Sequence, residues 1–177
     1  RGFVRSVRRS GGFGDPVRAQ LVSLPDSGEP LLNRLHLRRG RGLAPGARDE
    51  VLVSEAFAEA QGLGPGDRLQ AIVYGRTSNL RIVGVAISPE YVYQIQPGAA
   101  FPDFKRYAVL WMSRHALEAA LDMDGAFNGV ALRLLPGARS APVIAALDEL
   151  LARYGGRGAY ARIDQLSNRF LHEELRP

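Results

Sequence analysis

Three histidines, a set of scattered serines and one acidic turn are the residues that could do chemistry in this chain, and their spacing argues against each of them. His36, His115 and His172 fall in a strand, a helix start and a terminal helix. A zinc site needs ligands that converge, commonly nucleated by a close pair, and no such pair exists, so no metal site is expected. Asp122-Met123-Asp124-Gly125 has the composition of a calcium loop, but its glycine stands at position four where an EF-hand requires position six, and a plain turn explains it better. Ser54, Ser88, Ser113 and Ser167 lack the G-x-S-x-G context of an activated nucleophile, and Ser54 and Ser113 are placed to cap helices. Gly62, Gly64 and Gly66 follow a helix and precede a strand, the reverse of a phosphate loop, which follows a strand and opens a helix. With no cysteine, thiol nucleophiles, thiolate metal sites and disulfides are excluded. No catalytic, cofactor-binding or metal-binding residue is expected, and the chain is read as a non-enzyme.

Composition narrows the partners. The net charge of +5 comes from arginine, with Lys105 the single lysine, and high alanine and glycine content with arginine in place of lysine is what a GC-rich genome imposes. Arg34, Arg38, Arg39 and Arg41 could form a basic patch, but without interleaved aromatics or a recognised motif no nucleic-acid partner is expected. Arg5, Arg8 and Arg9 suit contact with anionic headgroups if they lie near a bilayer. No apolar run approaches the ~18 residues of a membrane span. The start at Arg1, without methionine or an apolar leader, and the amphipathic helix still running at Pro177 suggest a segment of a longer protein.

The elements follow from periodicity. Residues 1–16 read as a mobile or poorly packed arm, 17–24 as a strand, and 31–37 as a short strand before a glycine-rich loop over 40–46. Val51-Leu52-Val53 is a buried strand leading into a helix over 55–61 that Ser54 caps and Gly62 ends. Strands follow over 68–74 and 80–87. Residues 88–106 form a long loop with three prolines, and 107–112 is a strand whose successor helix, 114–121, is capped by Ser113. Strand 129–135, helix 141–154, a stop at Gly155-Gly156 and strand 159–163 make a βαβ-like unit, and 164–175 is amphipathic. No internal repeat is evident. Interleaved strands and helices of this kind predict an α+β fold. Within the long loop, Tyr91, Tyr93, Ile95, Phe101 and Phe104 are the candidate partner-contact residues, because long loops carry function and aromatics give contact area at low entropic cost. The competing reading is a lid folded back on the β-rich lobe.

The ordered series Val51-Leu52-Val53, Ser54-Glu55, Ala58, Gly62-Leu63, Gly66-Asp67 and Leu69 resembles the extracytoplasmic domain of FtsX/MacB-type ABC-transporter permeases. The resemblance continues through 87–93, Pro97-Gly98, Pro102-Asp103, 109–112, 125–128, 150–155 and Gln165-Leu166-Ser167-Asn168, and covers roughly 20–175. It implies a two-lobed domain tethered between transmembrane helices of a bacterial inner-membrane protein. The βαβ-rich lobe would comprise 17–35 with 126–164, the inserted β-rich lobe 45–122, and 164–177 a helix leading toward the membrane. In the family, a segment ahead of the position of Arg1 helps complete the first lobe. The implied partners are a cytoplasmic ABC ATPase acting through the parent permease, and a periplasmic protein, lipid or lipoprotein substrate. A stand-alone soluble binding module is the alternative.

Overall fold

The computed structural model describes residues 2–9, 17–96, 99, 101–156, 158–165 and 167–169. It divides into two compact units, Arg1–Val130 and Ala131–Pro177. The first contains seven strands and two helices in the order β1 (Gly2–Arg9), β2 (Val17–Leu24), β3 (His36–Gly40), β4 (Glu50–Ser54), α1 (Glu55–Gln61), β5 (Arg68–Val73), β6 (Arg76–Ile87), β7 (Tyr107–Ser113) and α2 (Arg114–Leu121). Six strands close into a barrel, β6-β4-β7-β2-β1-β5 and back to β6, and β3 adds to β6 at its far end.

Period-2 alternation fixes which side chains enter the barrel. Leu69, Ala71 and Val73 of β5 are buried, while on the other face Arg68 and Ile72 are exposed and Gln70 is half-buried. β7 is buried on both faces. Its Ala108, Leu110 and Met112 join Leu21, Val51, Val53, Ile82 and Val85 in the interior cluster. Tyr107, Val109 and Trp111 join Leu52, Val83 and Ala86 in a second cluster, against which Leu35, Leu43 and Tyr91 from the loops pack. Phe57 and Ala58 of α1, with Ala116 and Leu117 of α2, complete the interior cluster.

The strand pairing exposes a repeat that the sequence hides. Hairpin β1–β2 is followed in the chain by β4 and α1, and hairpin β5–β6 by β7 and α2. Both β4 and β7 are fully buried strands ending in a serine that opens a short helix. Each of them pairs in parallel with the other half's hairpin, β4 with β6 and β7 with β2. The antiparallel pairs β1–β5 and β4–β7 join the halves at two further seams. The two halves are therefore interlaced, and neither has a complete set of ladder partners without the other.

β6 carries three partners along twelve residues, which is possible because the chain bulges midway. Val51 faces Ile82 but Leu52 faces Gly84, so Val83 is the extra residue. Gly84 lies opposite Gly40 of β3, and Arg41 N–H donates to the Val83 carbonyl. A β-carbon on Gly84 would come within 2.5 Å of the Arg41 carbonyl oxygen, 2.8 Å of Leu37 Cδ1 and 2.9 Å of Leu52 Cδ2. Gly40 has φ +79°, and a β-carbon there would overlap the Val83 carbonyl. The two glycines let β3 lie against the bulge with no side chain between them.

Several expectations are corrected. Residues 2–9 form β1 and pair with β2 and β5, with Val7 fully buried, because the barrel cannot close without that strand; 10–16 lie outside the described residues. β2, read as a strand over 17–24, is hydrogen-bonded to β1 and β7 inside the barrel. The short strand expected over 31–37 occupies His36–Gly40 instead. In the second unit, α3 (Ser140–Ala152) forms as expected and Gly155, at φ +74°, follows its end, with the Gly156 amide donating to the Leu151 carbonyl. The strands expected over 129–135 and 159–163 do not form. Apolar alternation is present, but a strand also needs a ladder partner, and among the described residues neither segment has one. Val130, Leu132 and Leu135 are left exposed, and α3 buries none of its residues. The helix expected over 164–175 falls mostly outside the described residues.

Gly84→Ala is expected to destabilise the protein by about 1–3 kcal/mol, because the overlap is with backbone and buried side chains that cannot retreat freely. Gly42→Ala, where the added carbon meets open space, should change stability by no more than ~0.5 kcal/mol. Urea midpoints of the two variants provide the comparison.

Candidate partner-contact loop

Residues 88–106 leave β6 and return to β7, and both ends of the segment are pinned by side chains. At the start, Ser88 Oγ accepts from the Glu90 amide (3.2 Å), and Asn33 Nδ2 donates to Glu90 Oε2 (3.1 Å), tying this loop to the one after β2. At the end, Asp103 Oδ1 accepts from the amides of Lys105 (3.1 Å) and Arg106 (3.0 Å), and Gln61 of α1 donates to the Lys105 carbonyl (2.7 Å). Such turns from short polar side chains onto nearby backbone are what let an irregular segment satisfy its own amides.

The five sequence-predicted residues do not form one exposed surface. Tyr91 stacks edge-on against Trp111, with ring centroids 6.2 Å apart, and its hydroxyl accepts from Gln20 Nε2 at 3.0 Å. Gln20 in turn accepts from the Tyr107 hydroxyl at 2.8 Å, so one buried glutamine bridges two tyrosines. Ile95 is buried, and the neighbouring Gln94 accepts from Ser54 Oγ at 2.9 Å. Tyr93 and Phe104 are half-buried. Phe101 alone stands out, 76% exposed, with Val92 at 50% beside this set. Tyr91 and Ile95 thus pack as a lid would, and Phe101 is the exposed member of the candidate set.

The residues that seat the loop were missed in the sequence. Gln20 sits between buried Ala19 and Leu21 in β2, and a glutamine inside an apolar strand must face a polar partner, which is the signal that could have found it. Ser54 occupies the N-cap position of α1 but makes no side-chain cap. Its hydroxyl accepts instead from the Val109 amide at 3.4 Å while donating to Gln94. Ser113 does cap α2, accepting from the Ala116 amide at 3.2 Å.

The strongest electrostatic feature lies away from the loop. Glu50, only 3% exposed, accepts from Arg41 Nη1 (2.9 Å) and Nη2 (2.6 Å), from Arg81 Nη2 (2.9 Å) and from the Ala44 amide (2.8 Å). These contacts, led by the Arg41 hydrogen bonds, hold its pKa down at about 2 despite burial. A carboxylate so firmly ionised is a poor general acid or base near neutral pH, and here it ties residues 41–44 to β4 and β6. Of the predicted non-sites, Asp122 takes the left-handed C-cap of α2, His36 is exposed, and His115 sits at the start of α2, its amide donating to Asp26; His172 lies outside the described residues. No group of three or more potential metal ligands converges among the described residues. A recess of about 130 Å³ beside α2 contains the Arg114–Glu118 ion pair (2.7 Å), and it is small against the roughly 300–1,000 Å³ of small-molecule sites.

Because Glu50 titrates at about 2 when folded against 4.5 ordinarily, its contribution is fully present above pH 4.5 and is lost as pH falls toward 2. Glu50→Gln should remove on the order of 2–3 kcal/mol at neutral pH and flatten the stability profile across that acid window. Denaturant titrations from pH 2 to 7 on both proteins check this.

No family model matches the chain, and no curated protein does. Among solved structures it is similar to a domain of a provisionally named permease from Porphyromonas gingivalis, at 15% identity and a TM-score of 0.44, over 94% of this chain and 78% of that one. A likeness at that level leaves the family unassigned.

Proposed function

We propose that this chain is a non-enzymatic, extracytoplasmic domain of an ABC-transporter permease subunit, relaying ATP-driven helix movement to a periplasmic protein, lipid or lipoprotein. What supports the reading is the ordered series of motifs from Val51 to Asn168, which resembles that of FtsX/MacB-type permeases over most of the chain. The interlaced barrel supports it physically. A relay must move as a body when its tethers shift, and a closed six-stranded barrel resists internal shear better than an open sheet. No described helix is long and apolar enough to cross a membrane, so in this reading the tethers are supplied by the parent permease. The stand-alone binding module remains the second reading, favoured by the exposure of Phe101 at the middle of a loop whose ends are fixed. A ligand that raises the melting temperature of the wild-type chain but not of Phe101→Ser would support it.

The absence of cysteine permits a direct topology test. In the full-length protein, Phe101→Cys should react with a membrane-impermeant maleimide in intact spheroplasts, relative to the parent without that substitution. Reaction only after the membrane is opened would place the loop in the cytoplasm and overturn the reading.

A further inference from the structure

We propose that the tip of the β5–β6 hairpin docks on an anionic lipid surface, with Tyr74 and Ile72 entering the headgroup region and Arg76 beside them contacting phosphate. This inference stands apart from the permease reading. It begins with a conformational anomaly. Tyr74 and Gly75 link Val73 to Arg76 in a two-residue hairpin turn, with φ of 48° and 77°. Both central residues of such a turn need positive φ, a demand that asparagine-glycine meets with little strain and a tyrosine does not. The ring gains nothing within the chain in return: it is 71% exposed and makes no hydrogen bond or ring contact among the described residues. Ile72, two residues back on the outward face of β5, is 44% exposed.

Charge supplies the identity of the partner. β1 and residues 68–81 together hold six arginines, at 5, 8, 9, 68, 76 and 81, and no acidic residue. The remaining 155 residues carry the other 17 basic and all 18 acidic side chains, so the whole positive excess of the chain belongs to these two adjacent segments. Arg81 is neutralised by Glu50, and Arg8 reaches Gln70 Oε1 at 2.9 Å on the outer face of β5. Arg76, the first residue after the turn, is exposed and has no acidic partner among the described residues; Arg68, paired with Arg81 at the other end of the ladder, lies roughly 20 Å from Tyr74. An amphipathic aromatic and an aliphatic residue at a hairpin tip, flanked by Arg76, match a bilayer interface, where tyrosine sits at headgroup depth and each basic residue adds electrostatic attraction. Single-stranded nucleic acid fits less well, because base stacking uses several aromatics spread along a groove and the described outward residues of β5 and of its partner β6 from 76 to 81 include none.

The test is co-sedimentation of the 177-residue chain with vesicles of phosphatidylcholine alone and of phosphatidylcholine mixed with phosphatidylglycerol, at low and high salt. Binding to the mixed vesicles only, weakened by salt, is expected. Tyr74→Asn should weaken it severalfold while leaving the melting temperature unchanged or raised, since asparagine suits the turn, which separates loss of contact from loss of fold. Arg76→Gln should weaken binding by about fivefold and reduce its salt dependence, whereas Arg68→Gln, at the far end of the hairpin, should change it little. Equal binding to both vesicle types, indifference to Tyr74→Asn, or preference for polyglutamate or oligothymidine over anionic vesicles would each overturn the proposal.

Discussion

Closure of the barrel through β6 is the constraint from which the rest of the first unit follows. That strand must serve β5 with its first half, β4 across its middle and β3 with its end, and it does so by inserting Val83 as a bulge beside Gly84. The bulge reverses which residues face inward, so Leu80 and Ile82 before it and Val85 after it all join the interior cluster. Val83 and Ala86 are turned to the outer cluster, where the loop after β6 is seated through Tyr91. Glu50 secures the same region electrostatically, joining Arg81 of β6 to Arg41 immediately after β3. A bulge, a glycine pair and one buried carboxylate thus set both the core and the position of the loop.

Interlacing has an energetic consequence. Because β4 completes the hairpin of the second half and β7 that of the first, local opening of either half removes ladder partners from the other. Such a barrel is expected to open as one cooperative unit, apart from the outer loops and the β5–β6 tip. Among the large apolar side chains that leave the packed clusters are Phe101 and Val92 on the long loop and Ile72 and Tyr74 on the hairpin.

Much of the barrel was legible in the sequence, and the reasons for the gaps are specific. The strand–serine–helix segments at Val51 and Val109 were read closely, since a buried apolar run followed by helical periodicity and a stop residue is a local signal. β1 was hidden because its arginines mask the alternation that places Val7 in the core, and its partners lie more than sixty residues away on one side. The interlaced repeat was invisible because it resides in pairing rather than in residue identity. The strands expected at 129–135 and 159–163 show the converse error: alternation states which face would be buried, but not whether a neighbouring strand is there to hydrogen-bond. In the loop, the division of the five candidate residues into Tyr91 and Ile95 inside and Phe101 outside depended on Gln20, which holds Tyr91, and on Ser54, which holds Gln94 beside Ile95, partners that only the tertiary structure brings near.

The central functional claim, that this is a membrane-tethered permease domain, is tested most directly by sequencing the coding region on both sides of the segment and plotting its hydropathy. A tethered permease domain requires an apolar run of ~20 residues shortly before Arg1 and another soon after Pro177, with an ABC ATPase gene or domain adjacent. Polar flanks on both sides, with no such run, would contradict it and leave the barrel as a binding module without a tether.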